Sequence, residues 1–115
     1  MPAHLVEDHL AAFNAHDSAR VLAGLAADVQ WATGQDVFRG REALAEVFDD
    51  GLWELGPALE LRTLIAAEDM AAAELVEQLT VGGELRRFTI AVFFRFAGGL
   101  ITHATVYREG SADIV

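Results

Sequence analysis

Apolar residues near the start of the chain fall at Leu5, Val6, Leu10 and Phe13, the spacing of a helix with one buried face. That pattern predicts a helix over residues 3–15. His16, Asp17 and Ser18 interrupt it, and Asp17 is placed to cap a second short helix over 18–26. Val29, Trp31 and Thr33 then alternate with Gln30 and Ala32, as in a strand. Gly34-Gln35-Asp36 reads as a loop. Phe38-Arg39-Gly40 leads into a third helix that begins near Arg41 and carries Leu44, Val47 and Phe48 on one face. Gly56-Pro57 ends that segment.

The remainder predicts strands over 59–67, 70–81, 84–97 and 100–109, with hairpin turns at Gly82-Gly83 and at Ala97-Gly98-Gly99. Helices followed by a meander of long antiparallel strands make an α+β arrangement. The expected fold has three N-terminal helices packed in the concavity of a strongly curved, mostly antiparallel sheet, a cone-shaped α+β barrel with an apolar interior. That interior is either a cavity or a core filled by its own side chains; element order alone leaves both open. A length of 115 residues suits one domain over 1–115.

Composition narrows the function. A hydrophobic fraction of 53% excludes intrinsic disorder. No apolar run approaches the roughly 18 residues of a membrane span. Met1-Pro2-Ala3-His4 shows no basic region followed by an apolar stretch, so a cytoplasmic protein is expected. The formal net charge is −10, and all 8 basic residues are arginine. Such a surface repels polyanions, which argues against nucleic acid and anionic membranes as partners. The chain has no cysteine and no lysine, so thiolate, zinc–thiolate and Schiff-base chemistry are excluded. Ser18 and Ser111 lie outside any G-x-S-x-G elbow, and no glycine-rich phosphate loop occurs. No cofactor is expected. Carboxylate, histidine and tyrosine chemistry remain, or binding alone.

Five segments spread over the chain resemble the nuclear transport factor 2-like superfamily, in its SnoaL-like (polyketide-cyclase-like) branch. They are Phe13-Asn14-Ala15-His16-Asp17, Leu25 to Trp31, Phe38 to Leu44, Val92-Phe93-Phe94-Arg95-Phe96, and Gly99-Leu100-Ile101 through Val106-Tyr107. The resemblance implies a small apolar ligand in the cone and a homodimer formed through the outer sheet face. It also allows the family's catalytic residues to be sought here. The base aspartate of the ketosteroid-isomerase-like members falls at Thr33, their oxyanion-hole aspartate at Val92, and their first-helix tyrosine at His9. The acid/base aspartate of the polyketide cyclases falls at Val106, and a nearby histidine at Ala104. The Arg-x-Asp pair of the limonene-epoxide-hydrolase-like members is absent from the chain. Valine and threonine do not replace a carboxylate as general base.

Strand alternation brings forward other candidates. Glu77 shares a face with Ala73, Leu75, Leu79 and Val81, and the Gly82-Gly83 turn sets it opposite Phe88. A carboxylate among apolar neighbours is a candidate general acid or base. Alternatively it pairs with Arg86, diagonal to it across the hairpin. His9 lies on the inward stripe of the first helix with Leu5 and Phe13. It is either a second catalytic candidate, bonding a ligand or relaying a proton with Glu77, or a core histidine. Trp31, Phe48, Trp53, Phe88 and Phe94 either line a cavity or fill the core. Trp53 is expected near the cone mouth, where Arg108 is either a lining residue or a solvated strand-end charge. With these go Thr33, Val92, Ala104 and Val106 as expected pocket residues. No metal site is expected, because His4 and His9 stand about 140° apart around a helix.

The last strand has two possible registers. A two-residue Gly98-Gly99 turn puts His103 and Tyr107 on the face of Phe94. A three-residue Ala97-Gly98-Gly99 loop shifts the pairing by one, turning Thr102, Ala104, Val106 and Arg108 inward and His103, Thr105 and Tyr107 outward. The second is preferred, since the resemblance implies it. The function expected is small-molecule binding in an apolar conical pocket, with isomerase- or cyclase-type acid–base chemistry. The alternative is a non-catalytic ligand-binding or dimerisation module.

Overall fold

The computed structural model describes residues 2–109. Its helices are α1 (Pro2–Asn14), α2 (Ser18–Ala23) and α3 (Arg41–Asp49), followed by a 3-10 turn (Leu52–Leu55). Its strands are β1 (Leu25–Thr33), β2 (Asp36–Arg39), β3 (Ala58–Ala67), β4 (Met70–Val81), β5 (Glu84–Ala97) and β6 (Leu100–Arg108). They form one sheet in the order β2-β1-β6-β5-β4-β3. Only β1 and β6 run parallel; the other neighbours are antiparallel. Because β2 and β3 are edges, the cone is open along one side and is not a closed barrel.

α1 carries Val6, His9, Leu10 and Ala12 on its buried face. It ends where His16 takes a left-handed conformation, φ 54°. The His16 N–H donates to the Phe13 carbonyl and the Asp17 N–H to the Ala12 carbonyl, which closes the last turn. Asn14 then fixes the helix to the edge strand β3. Its side-chain amide donates to the Leu59 carbonyl at 2.9 Å, and its oxygen accepts from the Leu59 N–H at 2.7 Å. Asp17 caps α2 by accepting from the Arg20 N–H at 3.2 Å.

Two elements depart from the expected pattern. α2 stops at Ala23 and β1 begins at Leu25, because Leu25 pairs with Ile101 and the Ile101 N–H donates to the Gly24 carbonyl. Long-range pairing overrides the short helix, and the early part of β1 is irregular, with a register shift between Leu25 and Gln30. β2 begins at Asp36, expected to be loop, and takes in Phe38 and Arg39, expected only to lead into α3. It is a four-residue edge strand that pairs Phe38 with Trp31.

Both tight hairpins turn on Gly-Gly with positive φ at each glycine: 59° and 80° at Gly82-Gly83, and 59° and 78° at Gly98-Gly99. These are the primed turns that match strand twist. Ala97 pairs directly with Leu100, so the second turn has two residues and not the three expected. The register shift comes afterwards, in a bulge. Phe96 pairs with Ile101 and Arg95 with His103, which leaves Thr102 unpaired, its hydroxyl donating to the Arg95 carbonyl at 3.2 Å. Ala104, Val106 and Arg108 consequently turn inward, and His103 and Tyr107 outward. Thr102 sits at the bulge and does not join the inward row.

The main core runs along the concave face and includes Val6, Leu25, Val29, Leu75, Phe94 and Ile101, all nearly inaccessible to solvent. Each large side chain buried this way contributes about 1.5–3 kcal/mol. A second cluster joins the helices at the wide end: Ala12, Val21 and Phe48, with Phe13, Leu22, Leu52 and Trp53 against them.

Candidate functional site

Between the helices and the concave face lies a partly enclosed cavity of about 180 Å³, walled mostly by apolar side chains. The cone is therefore not completely filled. α1 contributes His9, Leu10 and Phe13; the sheet contributes Trp31, Leu75, Val92, Phe94 and Val106.

One end of the cavity is polar. Arg108, at the end of β6, reaches across β5 to Glu77 on β4, its Nε donating to Oε1 at 2.9 Å and its Nη2 to Oε2 at 3.2 Å. Its Nη1 donates to the Thr33 hydroxyl at the end of β1 at 2.6 Å. One guanidinium thus ties β1, β6 and β4 together at the open end of the sheet. The two-pronged contact is the strong geometry for an Arg–carboxylate pair. The Glu77 side chain is 12% exposed and that of Arg108 is 36% exposed.

This corrects the expected partner of Glu77. Arg86 stands opposite Leu79 and is exposed, two pairs nearer the hairpin tip than Phe88, which faces Glu77. The carboxylate is charge-balanced by Arg108, two strands away. Each Glu77 oxygen accepts one of these bonds and keeps a further lone pair for another donor.

His9 is buried against Trp31 and Phe94, with ring centroids 5.4 and 6.0 Å away. Burial lowers its pKa from 6.5 to about 4, so the ring is neutral at neutral pH. Its Nδ1 is buried without a hydrogen-bond partner. The ring therefore offers the cavity a neutral wall and not a cation.

Of the residues expected at the site, His9, Trp31, Thr33, Phe48 and Glu77 line the cavity, as do Val92, Phe94, Val106 and Arg108. Three others do not. Ala104 is buried in the core, paired with Phe94. Phe88 is only partly buried and packs on the edge of the core. Trp53 turns into the helix cluster, where Phe48 stacks at 4.9 Å and His16 at 4.8 Å, and its indole N–H donates to the Ser18 hydroxyl at 2.7 Å. Among the described residues, no three His, Asp or Glu side chains gather as a metal site.

The sequence pattern of the SnoaL-like domain matches residues 6–104. The chain belongs to the SnoaL-like domain family. No curated protein matches its sequence. Solved structures place this SnoaL-like chain in the NTF2-like fold. An NTF2-like protein of unknown function from Burkholderia pseudomallei K96243 superposes with a TM-score of 0.84 at 19% identity, over 93% of this chain and 89% of that one. An LEH-like epoxide hydrolase from M. tuberculosis gives 0.84 at 22% identity, over 92% and 80%. A protein with a ketosteroid isomerase-like fold from Catenulispora acidiphila DSM 44928, in complex with trimethylamine, gives 0.80 at 18% identity, over 90% and 83%.

The positions where the resemblance led one to look for carboxylates hold Thr33, Val92 and Val106, and all three line the cavity. The carboxylate present there is Glu77, on β4. Phe38 and Leu59 also line the cavity and were not among the expected pocket residues. Phe38 belongs to the short strand β2, and Leu59 is held in place by Asn14. The Phe-Asn pair before His16 was the available signal for that docking.

Proposed function

We propose that this SnoaL-like domain binds a small, largely apolar molecule inside the cone, with its polar atoms at the Thr33–Glu77–Arg108 end. The supporting observation is the 180 Å³ cavity, apolar along its walls and polar at one end. Packed cores leave few voids larger than a water molecule, so a space of this size in so small a domain suits an occupant. The catalytic form of the reading is proton transfer at Glu77, through the lone pairs that Arg108 leaves open. His9 serves as a neutral ring elsewhere in the lining.

The experiment is saturation-transfer NMR against a panel of small, largely apolar compounds, with Val92→Phe as the comparison. Val92 is buried on the cavity wall, and a phenyl group there fills the space. Binding by the natural chain and its loss in a folded Val92→Phe variant are expected. Equal signals from both would place the compounds elsewhere.

A second surface accompanies this reading. Phe93 and Tyr107 are 49% and 59% exposed on the outer sheet face. Their rings meet edge to face at 6.0 Å. Such an aromatic pair suits the core of a homodimer interface. Sedimentation velocity should show a dimer that Tyr107→Arg converts to monomer; a monomeric natural chain rejects it.

A further inference from the structure

Given that the cone is a binding site, as proposed above, its lining limits what can enter. At about 180 Å³ the space is a little larger than the roughly 150 Å³ apolar cavity that holds one benzene ring. A single ring with a small substituent fits. A fused four-ring molecule does not.

Charge is limited as firmly as size. Among the described residues, the ionised groups of the lining are Glu77 and Arg108, and they are bonded to each other. An entering anion competes with Glu77 for the guanidinium. An entering cation competes with Arg108 for the carboxylate. Either one strips a partner from a pair whose carboxylate is largely buried, which costs more than the new contact returns. His9 adds no compensating charge, since burial keeps it neutral. The pair does accept a neutral guest without rearrangement: the carboxylate oxygens have lone pairs to spare, and Thr33 has a hydroxyl on the same guanidinium. The rings of Trp31, Phe38 and Phe94 offer the remainder of the guest flat and edge-on apolar contacts.

We infer that the ligand of this cone is an uncharged molecule of single-ring size, with a hydroxyl or similar donor that bonds to the Thr33–Glu77–Arg108 end. The ring lies among Trp31, Phe38 and Phe94. Phenols and cyclic alcohols have this chemistry; carboxylates, amines and polycyclic aglycones do not.

Isothermal titration of the full chain at neutral pH against five probes tests this: para-cresol, toluene, benzoate, benzylammonium and hydroxypyrene. Para-cresol should bind at least about tenfold more tightly than benzoate or benzylammonium, and several-fold more tightly than toluene. Hydroxypyrene should show no saturable binding. Thr33→Val, which keeps the side-chain volume, should narrow the margin of para-cresol over toluene. Should either ion come within tenfold of para-cresol, the charge limit is overturned, while the cone remains a binding site. Saturable hydroxypyrene binding that Val92→Phe abolishes overturns the size limit in the same way. If none of the five probes binds, the binding-site reading fails together with the ligand class.

Discussion

Replacing His9 by leucine isolates the contribution of a buried, neutral imidazole to stability. Burial holds the pKa of the folded state at about 4, below the ordinary 6.5. Above the ordinary value neither the folded nor the unfolded chain is protonated at His9, and the ring has no effect on pH dependence. Between the two values the unfolded chain takes up a proton that the folded chain refuses, so stability falls as pH falls. Below the lower value both states are protonated and the loss levels off. The gap between the two values corresponds to about 3 kcal/mol in all, of which about 2 kcal/mol is lost by about pH 5. Urea unfolding followed by far-UV circular dichroism, at about pH 7.5 and about pH 5, measures this for both proteins. Carboxylates titrate in each protein alike, so the difference between the two losses isolates His9. The natural chain should lose about 2 kcal/mol more than His9→Leu over that interval. Equal losses would show that His9 is not held neutral by burial, and would refute the reasoning.

Two further changes probe the frame around the site. Arg108→Leu leaves the Glu77 carboxylate without its guanidinium and should destabilise by about 2–4 kcal/mol, less than for a fully buried pair because Arg108 is partly exposed. Adding Glu77→Leu should recover part of that loss in the same urea titration. At the second hairpin, Gly98→Asn should be nearly neutral, since asparagine tolerates the left-handed φ there. Gly99→Val should cost about 1–2 kcal/mol in thermal unfolding, because a β-branched residue is strained at φ 78°.

The long periodic segments were legible from sequence because their buried faces repeat at the helix or strand period. α1, α3 and β3 to β6 are of this kind. β2 has four residues, too few for alternation to show, and it exists because Trp31 and its neighbours offer an edge. The start of β1 carries no alternating signal, and its strand form depends on Ile101, far along the chain. The last strand is the most instructive case. Ala104, Val106 and Arg108 face inward as expected and Thr102 does not, yet the shift arose at Thr102 and not in the turn, because one unpaired residue in a bulge has the same effect on facing as one added to a loop.

The site was legible to a similar degree. Alternation placed Glu77 on the concave face, and its helical spacing placed His9 on the inward stripe. The partner of Glu77 was beyond that reasoning. Arg108 lies 31 residues away along the chain and two strands away in the sheet, and only the sheet order brings them together. Trp53 misled for a related reason: its position after α3 suggested the mouth, but Phe48, His16 and Ser18 give its ring a better-satisfied place among the helices.

A crystal structure of the chain grown with para-cresol bears most directly on the whole account. The ring should appear inside the cone against Trp31 and Phe94, its hydroxyl within hydrogen-bond distance of Thr33, Glu77 or Arg108. Para-cresol bound only on the outer sheet face, with the cone closed over by its own side chains, would contradict it.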